Sequence, residues 1–164
     1  MKKELSYVTH EFDPIYFDDA KVLILGSMPS VKSKENGFYY SHPKNRFWTV
    51  LADVFSEEVP ISKEERLQFL KRHHIALWDV IATCLIDGSS DSSIQQVQVN
   101  PIEDLLEKVP IEAIFTTGKK AQQLYDQYCL KQTKMEAVCL PSTSPANCRV
   151  SYEDLKKAYQ AIRF

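Results

Sequence analysis

Four short apolar segments, each followed by a stretch with helical periodicity, limit the possible folds of this chain more than any other feature. The segments span 21–25, about 75–81, 111–115 and 136–140. Their apolar residues are continuous and do not alternate with polar ones, which is typical of strands buried on both faces of a parallel sheet. Parallel strands need crossover connections, and these place helices on both sides of the sheet. The sequence therefore predicts an α/β fold, a three-layer α/β/α sandwich around a short, mainly parallel sheet of four strands.

Helix-start signals lie between the apolar segments, where such a fold needs them. Pro43 suits the first position of a helix, and apolar residues recur on one helical face from Phe47 to Phe55. Three further starts are predicted by a capping box of Ser62 with Glu65, by Asn100–Pro101, and by Ser151 with Asp154. The Ser- and Asp-rich stretch 86–96 is the expected flexible joint.

Length and composition indicate one cytoplasmic domain. With 164 residues and 44% hydrophobic side chains, the chain can bury one core, so we expect a single domain over 1–164. The N-terminus has no apolar core of a secretory signal, and the longest aliphatic run, VLIL, is too short to cross a membrane. The four cysteines form no CxxC pair and no group with histidine, so we expect reduced thiols, no metal and a cytoplasmic location, nucleoid-associated in a bacterium.

Three loops follow predicted strands: 26–42, 116–120 and 141–149. Ligand sites of open α/β sheets lie at the carboxyl ends of strands, and a connection as long as 26–42 is uncommon unless it is functional or disordered. Although the net charge is only −2, residues 32–46 contain four basic residues and one acid. The loops therefore predict a site with a local basic patch.

Several site types do not fit these loops. GSMPSV lacks the GxGxxG spacing, TTGKK lacks a complete P-loop, and no serine has the GxSxG context of a nucleophile elbow. TTGKK could still bind one phosphate at a helix N-terminus, or could simply begin a helix. Phe38, Tyr39 and Tyr40 lie beside Asn45, whose amide can bond the lactam edge that uracil and hypoxanthine both present. The loops thus favour an aromatic, amide-bearing pocket.

The segments LILGSMPS, GFYYSHPKNRFW and LPSTSPAN resemble the uracil-DNA glycosylase superfamily, and most closely its hypoxanthine (deoxyinosine) DNA glycosylase branch. The resemblance extends from about Val22 to the final helix. It implies a parallel sheet of order 2-1-3-4 and a monofunctional hydrolase, without metal or cofactor, that excises a deaminated base from DNA. The target base is flipped out of the stack, and an abasic site remains. The expected partner is DNA that contains a deaminated base, bound by a monomer.

The resemblance also implies roles for single residues. Asn45 matches the essential asparagine of the hypoxanthine branch, and Tyr40 matches the aromatic residue that stacks on the flipped base. Met28 stands where mismatch-specific uracil glycosylases carry a water-activating asparagine, and a thioether cannot orient water. Ser142 stands where classical uracil glycosylases carry histidine. Both departures weaken the case for uracil as the main substrate.

The predicted site residues fall into three groups. Asn45 is the catalytic candidate, and Ser27, Met28, Phe38 and Tyr40 are candidates for base binding. Candidates for DNA binding are Ser142, Thr143, Ser144, Pro145, Ala146, Asn147, Lys44, Arg46 and Lys119, with Lys32, Lys34 and Arg149 as further cations. Two alternatives stay open: a uracil or mismatch-specific glycosylase, and a non-catalytic nucleic-acid-binding relative that kept the pocket.

Overall fold

A computed structural model describes residues 6–9, 13–28, 37–86, 95–147 and 149–163. These residues form seven strands: β1 Ser6–Thr9, β2 Val22–Gly26, β3 Ile75–Asp79, β4 Ile81–Ile86, β5 Gln95–Val99, β6 Ala113–Thr117 and β7 Ala137–Leu140. A four-stranded sheet has the order β3-β2-β6-β7, with every pairing parallel. Counted among the parallel strands alone, this is the order 2-1-3-4. The predicted fold class is therefore confirmed.

The helices of the described residues are α1 Phe47–Val54, α2 Lys63–Arg72, α3 Ile102–Lys108, α4 Lys119–Tyr128, α5 Leu130–Thr133 and α6 Tyr152–Tyr159, with a 3₁₀ turn at Gln160–Ile162. The capping box of Ser62 and Glu65 opens α2 as predicted, and the Ser151 side chain caps α6. The prediction that Pro43 begins a helix is wrong. The chain is still turning there, because the Asn45 N–H donates to the His42 carbonyl, and α1 begins only at Phe47.

The core lies between the parallel sheet and its helices. Every residue of β2 and β3 is buried, which explains their uninterrupted apolar sequences. Helix α1 is also mostly buried, and it contributes Phe47 and Trp48 to the core. Residues at the carboxyl end of β2 and at the start of α1 thus belong to one core.

A second sheet was not predicted. Strands β1, β4 and β5 form an antiparallel sheet of order β1-β4-β5. The predicted strand at 75–81 divides at Val80, whose N–H donates to the Gly26 carbonyl, and β4 then leaves the parallel sheet. The predicted joint at 86–96 is wrong at its ends, since Ile86 and Gln95 belong to strands. Its centre, 87–94, lies outside the described residues.

Two further properties concern thiols and membranes. Cys129 and Cys139 are free cysteines, and burial raises the pKa of the Cys129 thiol to about 12, so that thiol is unreactive near neutral pH. In the described part of the chain, no helix combines the length and apolar character that a membrane crossing needs.

Candidate active site

Side chains from the long loop and from β3 and β6, the two strands that flank β2, meet around Gly26 at the carboxyl edge of the parallel sheet. A Cβ atom built on Gly26 would lie 2.5 Å from Asp79 Oδ1, 3.2 Å from the Tyr40 hydroxyl and 3.5 Å from Thr117 Oγ1. The first distance is shorter than any real Cβ contact, so only glycine lets the Asp79 carboxylate approach the backbone this closely. The predicted location of the site, at this edge of the sheet, therefore carries a converging set of polar groups.

Tyr40 joins the long loop to the sheet. Its hydroxyl lies 3.2 Å from Thr117 Oγ1, and its ring stacks on Phe47 with centroids 3.8 Å apart. Burial, followed by the nearby Asp79 carboxylate, raises the pKa of Tyr40 far above its usual range, so its hydroxyl stays protonated. The backbone of Tyr40 has a φ of 51°, an unusual conformation for a bulky residue. Stacking and the Thr117 contact hold this conformation, with Phe47 against one face of the ring.

Asn45 precedes the N-cap residue Arg46 and binds the first N–H of α1. Its side-chain Oδ1 accepts a hydrogen bond of 2.9 Å from the Phe47 N–H, and the side chain is half-buried. Among the described residues, nothing accepts a hydrogen bond from its Nδ2 group. The carbonyl half of the amide is therefore committed to the helix, while the NH₂ half remains a donor that a ligand could use. Asn45 and Tyr40 both contact Phe47, which brings the predicted catalytic residue and the predicted stacking residue into one local unit.

The other predicted base-binding residues have different environments. Phe38 is only 6% exposed and its ring stacks on Trp48, so it supports the loop mainly from within the core. Ser27 and Met28 are half-buried directly after β2, and the Ser27 carbonyl accepts from the Ile81 N–H. Both directly follow Gly26, and their binding of a base stays a prediction.

The loop of residues 141–147, here called the STSPAN loop, is held by its own hydrogen bonds. Ser142 Oγ accepts from the Ser144 N–H, and Ser144 Oγ accepts from the Ala146 N–H. Asn147 Nδ2 donates to the Ser142 carbonyl at 3.0 Å. Pro145 and Ala146 are exposed at the tip. The loop thus presents a small, apolar and stiff tip to solvent.

The predicted DNA-binding residues do not share one environment. Lys44, Lys119, Pro145 and Ala146 are exposed, whereas Thr143 is only 1% exposed and cannot offer its side chain to a ligand. The Arg46 guanidinium donates to two carbonyl groups of the protein, those of Val150 and Asn147. Arg149 is exposed, and Lys32 and Lys34 lie outside the described residues.

The loop 116–120 meets the STSPAN loop at Gly118. Gly118 has a φ of 98°, and its N–H donates to the Leu140 carbonyl at 2.7 Å. A Cβ atom at this position would lie 3.2 Å from the Ser142 Cβ, so glycine permits both the backbone conformation and the close contact. TTGKK therefore supports the STSPAN loop and begins α4, while binding of a phosphate there stays a prediction.

Sequence reasoning missed Asp79. This carboxylate is 3% exposed, lies at the end of β3 and is among the groups that raise the pKa of both Tyr39 and Tyr40. A buried carboxylate needs a reason, because removing its charge from water is costly. The signal was present in the sequence: the apolar segment IALW ends directly on an acid, at the strand end where sites of such sheets lie.

Comparisons with known proteins point to one family. The model of the uracil DNA glycosylase superfamily matches residues 14–163. The chain is 33% identical over 140 residues to a hypoxanthine DNA glycosylase of Methanosarcina barkeri, covering 84% of this chain and 87% of the relative. It is 34% identical over 142 residues to a hypoxanthine DNA glycosylase of Methanosarcina acetivorans, covering 85% and 89%. A solution NMR structure from Methanosarcina acetivorans, described as a candidate uracil DNA glycosylase, superposes with a TM-score of 0.81 at 30% identity, covering 97% of this chain and 100% of that one.

Proposed function

The chain belongs to the uracil-DNA glycosylase superfamily, and from that premise we propose that it excises hypoxanthine from DNA. The proposed reaction is monofunctional hydrolysis that leaves an abasic site, carried out by a monomer without metal or cofactor. The substrate is suggested by the two Methanosarcina relatives, which are named hypoxanthine DNA glycosylases and align with more than four fifths of the chain.

The proposal rests on one geometric observation: Phe47 donates its N–H to the Asn45 amide and stacks its ring on Tyr40. We propose that a flipped base stacks on Tyr40 and receives a hydrogen bond from Nδ2 of Asn45. Because Oδ1 is engaged by the helix, the amide offers a donor in a set orientation. Preorganised donors are the groups that stabilise negative charge developing in a transition state.

The reaction develops negative charge on the departing base, which a hydrogen-bond donor would stabilise. The bond between C1′ of deoxyribose and N9 of hypoxanthine breaks, its electron pair leaves with the base, and a water oxygen forms the new bond to C1′. The water gives up one proton, and the departing base ends with one. Nδ2 of Asn45 would donate to the base as its negative charge grows. Met28 cannot orient the water, because a thioether is only a weak hydrogen-bond acceptor.

The direct test is single-turnover excision from matched oligonucleotides that carry hypoxanthine, uracil or xanthine at one position. We expect the highest rate on hypoxanthine. The uracil alternative is favoured by the description of the similar solved structure, and it would be supported by faster excision of uracil. Tight binding to hypoxanthine-containing DNA without an abasic product would instead support a non-catalytic relative.

Chelation and trapping test the hydrolytic part of the proposal. Excision should continue at the same rate in excess EDTA, because the proposed chemistry needs only Asn45, water and the shape of the pocket. Borohydride should trap no covalent protein–DNA adduct, since hydrolysis forms no imine with a lysine. Activity lost in EDTA and restored by a divalent cation, or a trapped adduct, would contradict this mechanism.

The STSPAN loop is proposed to press on the DNA strand and fill the space of the flipped base. Ser144→Ala with Asn147→Ala removes hydrogen bonds that stiffen the loop, and these variants should slow excision from duplex roughly tenfold. The loss should be smaller on single-stranded substrate, because a base that is already unpaired costs less to extrude. Excision rates on both substrates provide the measurement.

A matched control for these variants is Ser151→Ala. It also removes a side-chain hydrogen bond, the cap of α6, just beyond the loop. Losing that cap should cost about 1 kcal/mol of stability without a preference for either substrate. Equal losses on duplex and single-stranded DNA by the Ser144 and Asn147 variants would count against the role in filling the stack.

A further inference from the structure

Arg46 connects the predicted catalytic residue to the STSPAN loop. It follows Asn45 directly and precedes the first residue of α1. Its backbone N–H donates to the Thr143 carbonyl at 3.1 Å, Nη2 donates to the Asn147 carbonyl at 3.1 Å, and Nη1 donates to the Val150 carbonyl at 3.0 Å. One residue thus binds three carbonyl groups, two in this loop and one in the segment after it.

The side chain at this position has to be arginine. A guanidinium is planar and presents its donors in a rigid fork, so it can bridge two carbonyl groups that approach from different directions. The ammonium of lysine is a compact charge on a flexible stem and would satisfy one of them at most. These bonds are also charge-assisted and half-buried, which makes them stronger than bonds between neutral groups.

The beginning of the STSPAN loop is anchored independently of Arg46. The Tyr159 hydroxyl, which is fully buried, donates to the Pro141 carbonyl at 2.7 Å, and Gly118 binds the Leu140 carbonyl. The exposed tip at Pro145 and Ala146 lies beyond these contacts, between the main-chain bond of Arg46 to Thr143 and its side-chain bond to Asn147. The position of the tip relative to Asn45 therefore depends on Arg46.

We propose that Arg46 is a positioning residue that sets the STSPAN loop at a defined distance from Asn45. The base that the loop extrudes is then already positioned for cleavage at Asn45. This inference rests on the proposed function, and it replaces the sequence-based expectation that Arg46 binds a DNA phosphate. Nη1 and Nη2, the two ends of the fork, are each already directed at a carbonyl group of the protein.

The experiment compares Arg46→Ala and Arg46→Lys with Lys44→Ala, which removes an exposed cation two residues away. Amide hydrogen exchange is measured first, in the free protein, over residues 142–147. Both Arg46 variants should exchange faster there, roughly tenfold, while Lys44→Ala should match the wild type. Arg46→Lys keeps the charge, so its agreement with Arg46→Ala would identify the fork as the essential feature. If Arg46→Ala fails to fold, Arg46→Lys still tests the proposal.

Excision and binding provide the second readout. Both Arg46 variants should excise hypoxanthine from duplex roughly 10²-fold more slowly, the usual cost of misplacing a reacting group from a distance, but lose far less on single-stranded substrate. The salt dependence of their DNA binding should be unchanged, whereas Lys44→Ala should lower its slope by about one.

Two outcomes would overturn the inference. One is unchanged exchange over residues 142–147 in both Arg46 variants, and the other is a salt slope that falls as it does for Lys44→Ala. Failure of the proposed function would look different: wild-type protein would leave hypoxanthine in place on both substrates, while the exchange measurement would still decide whether Arg46 holds the loop.

Discussion

Replacing Asn45 by alanine should lower the single-turnover rate of hypoxanthine excision by roughly 10²–10³, the usual effect of losing one preorganised donor. The two ends of the Asn45 amide have different roles. Oδ1 accepts from the Phe47 N–H at the start of α1, and Nδ2 is available to the base. Stability should change little, since losing a cap costs about 1 kcal/mol, or roughly 2–4 °C of melting temperature in a chain of this size. Rapid-quench excision and thermal melting are the two measurements.

Asn45→Asp separates the two halves of the amide. A carboxylate oxygen can still accept from the Phe47 N–H, so the cap and the melting temperature should be retained. The donor is lost, and the new negative charge would oppose charge developing on the departing base, so the rate should fall at least as far as in Asn45→Ala. An Asn45→Asp variant that excises within a few-fold of wild type would show that the donor lies elsewhere, and Ser27 would be the next residue to examine.

Replacing Gly26 by alanine should damage both folding and activity. The added methyl group would lie 2.5 Å from Asp79 Oδ1, so either the carboxylate or the end of β2 has to move. Overpacking of a buried site costs about 1–3 kcal/mol, which corresponds to a loss of roughly 2–10 °C in melting temperature. Because Tyr40 lies 3.2 Å from the same point, excision should fall by about 10²-fold or more.

A double-mutant cycle shows whether the contact with Asp79 is the cause. Asp79→Ala removes the obstructing carboxylate, so Gly26→Ala should cost much less stability in that background than in the wild type. The free energy of unfolding, measured with denaturant for the four proteins of the cycle, gives the coupling. Additive costs would show that the penalty of Gly26→Ala arises somewhere else in the site.

The parallel sheet could be predicted because its strands carry their own signal. Segments such as VLIL and IALW are apolar without alternation, and a strand buried on both faces needs this pattern. The capping box at Ser62 is equally local, because its two residues lie within one helical turn. The antiparallel sheet gave no such signal. Its strand β4 is recognisable only from pairing with β5 and with β1, which is distant along the chain.

In the candidate site, too, the types of side chain could be read from the sequence, whereas their contact partners could not. The sequence by itself determined where the site lies and which side chains are chemically suited to it, because strand ends, turns and amide or aromatic groups are readable locally. Asn45 and Tyr40 were proposed from such groups together with the resemblance to the glycosylase family. It could not show that the Asn45 carbonyl is committed to α1, or that Phe38 lies in the core against Trp48.

Only the tertiary structure decided which groups meet. Asp79 approaches Gly26 because β2 and β3 pair in parallel register, with Gly26 directly opposite Asp79. The Arg46 guanidinium donates to carbonyl groups about a hundred positions away along the chain, and these partners could not be read from the sequence. A hydrogen-bond donor pairs with the acceptor that the fold places within bonding distance. That placement depends on the packing of the whole core. The sequence thus determined the chemical groups of this site, and the fold decided which partner each of them has.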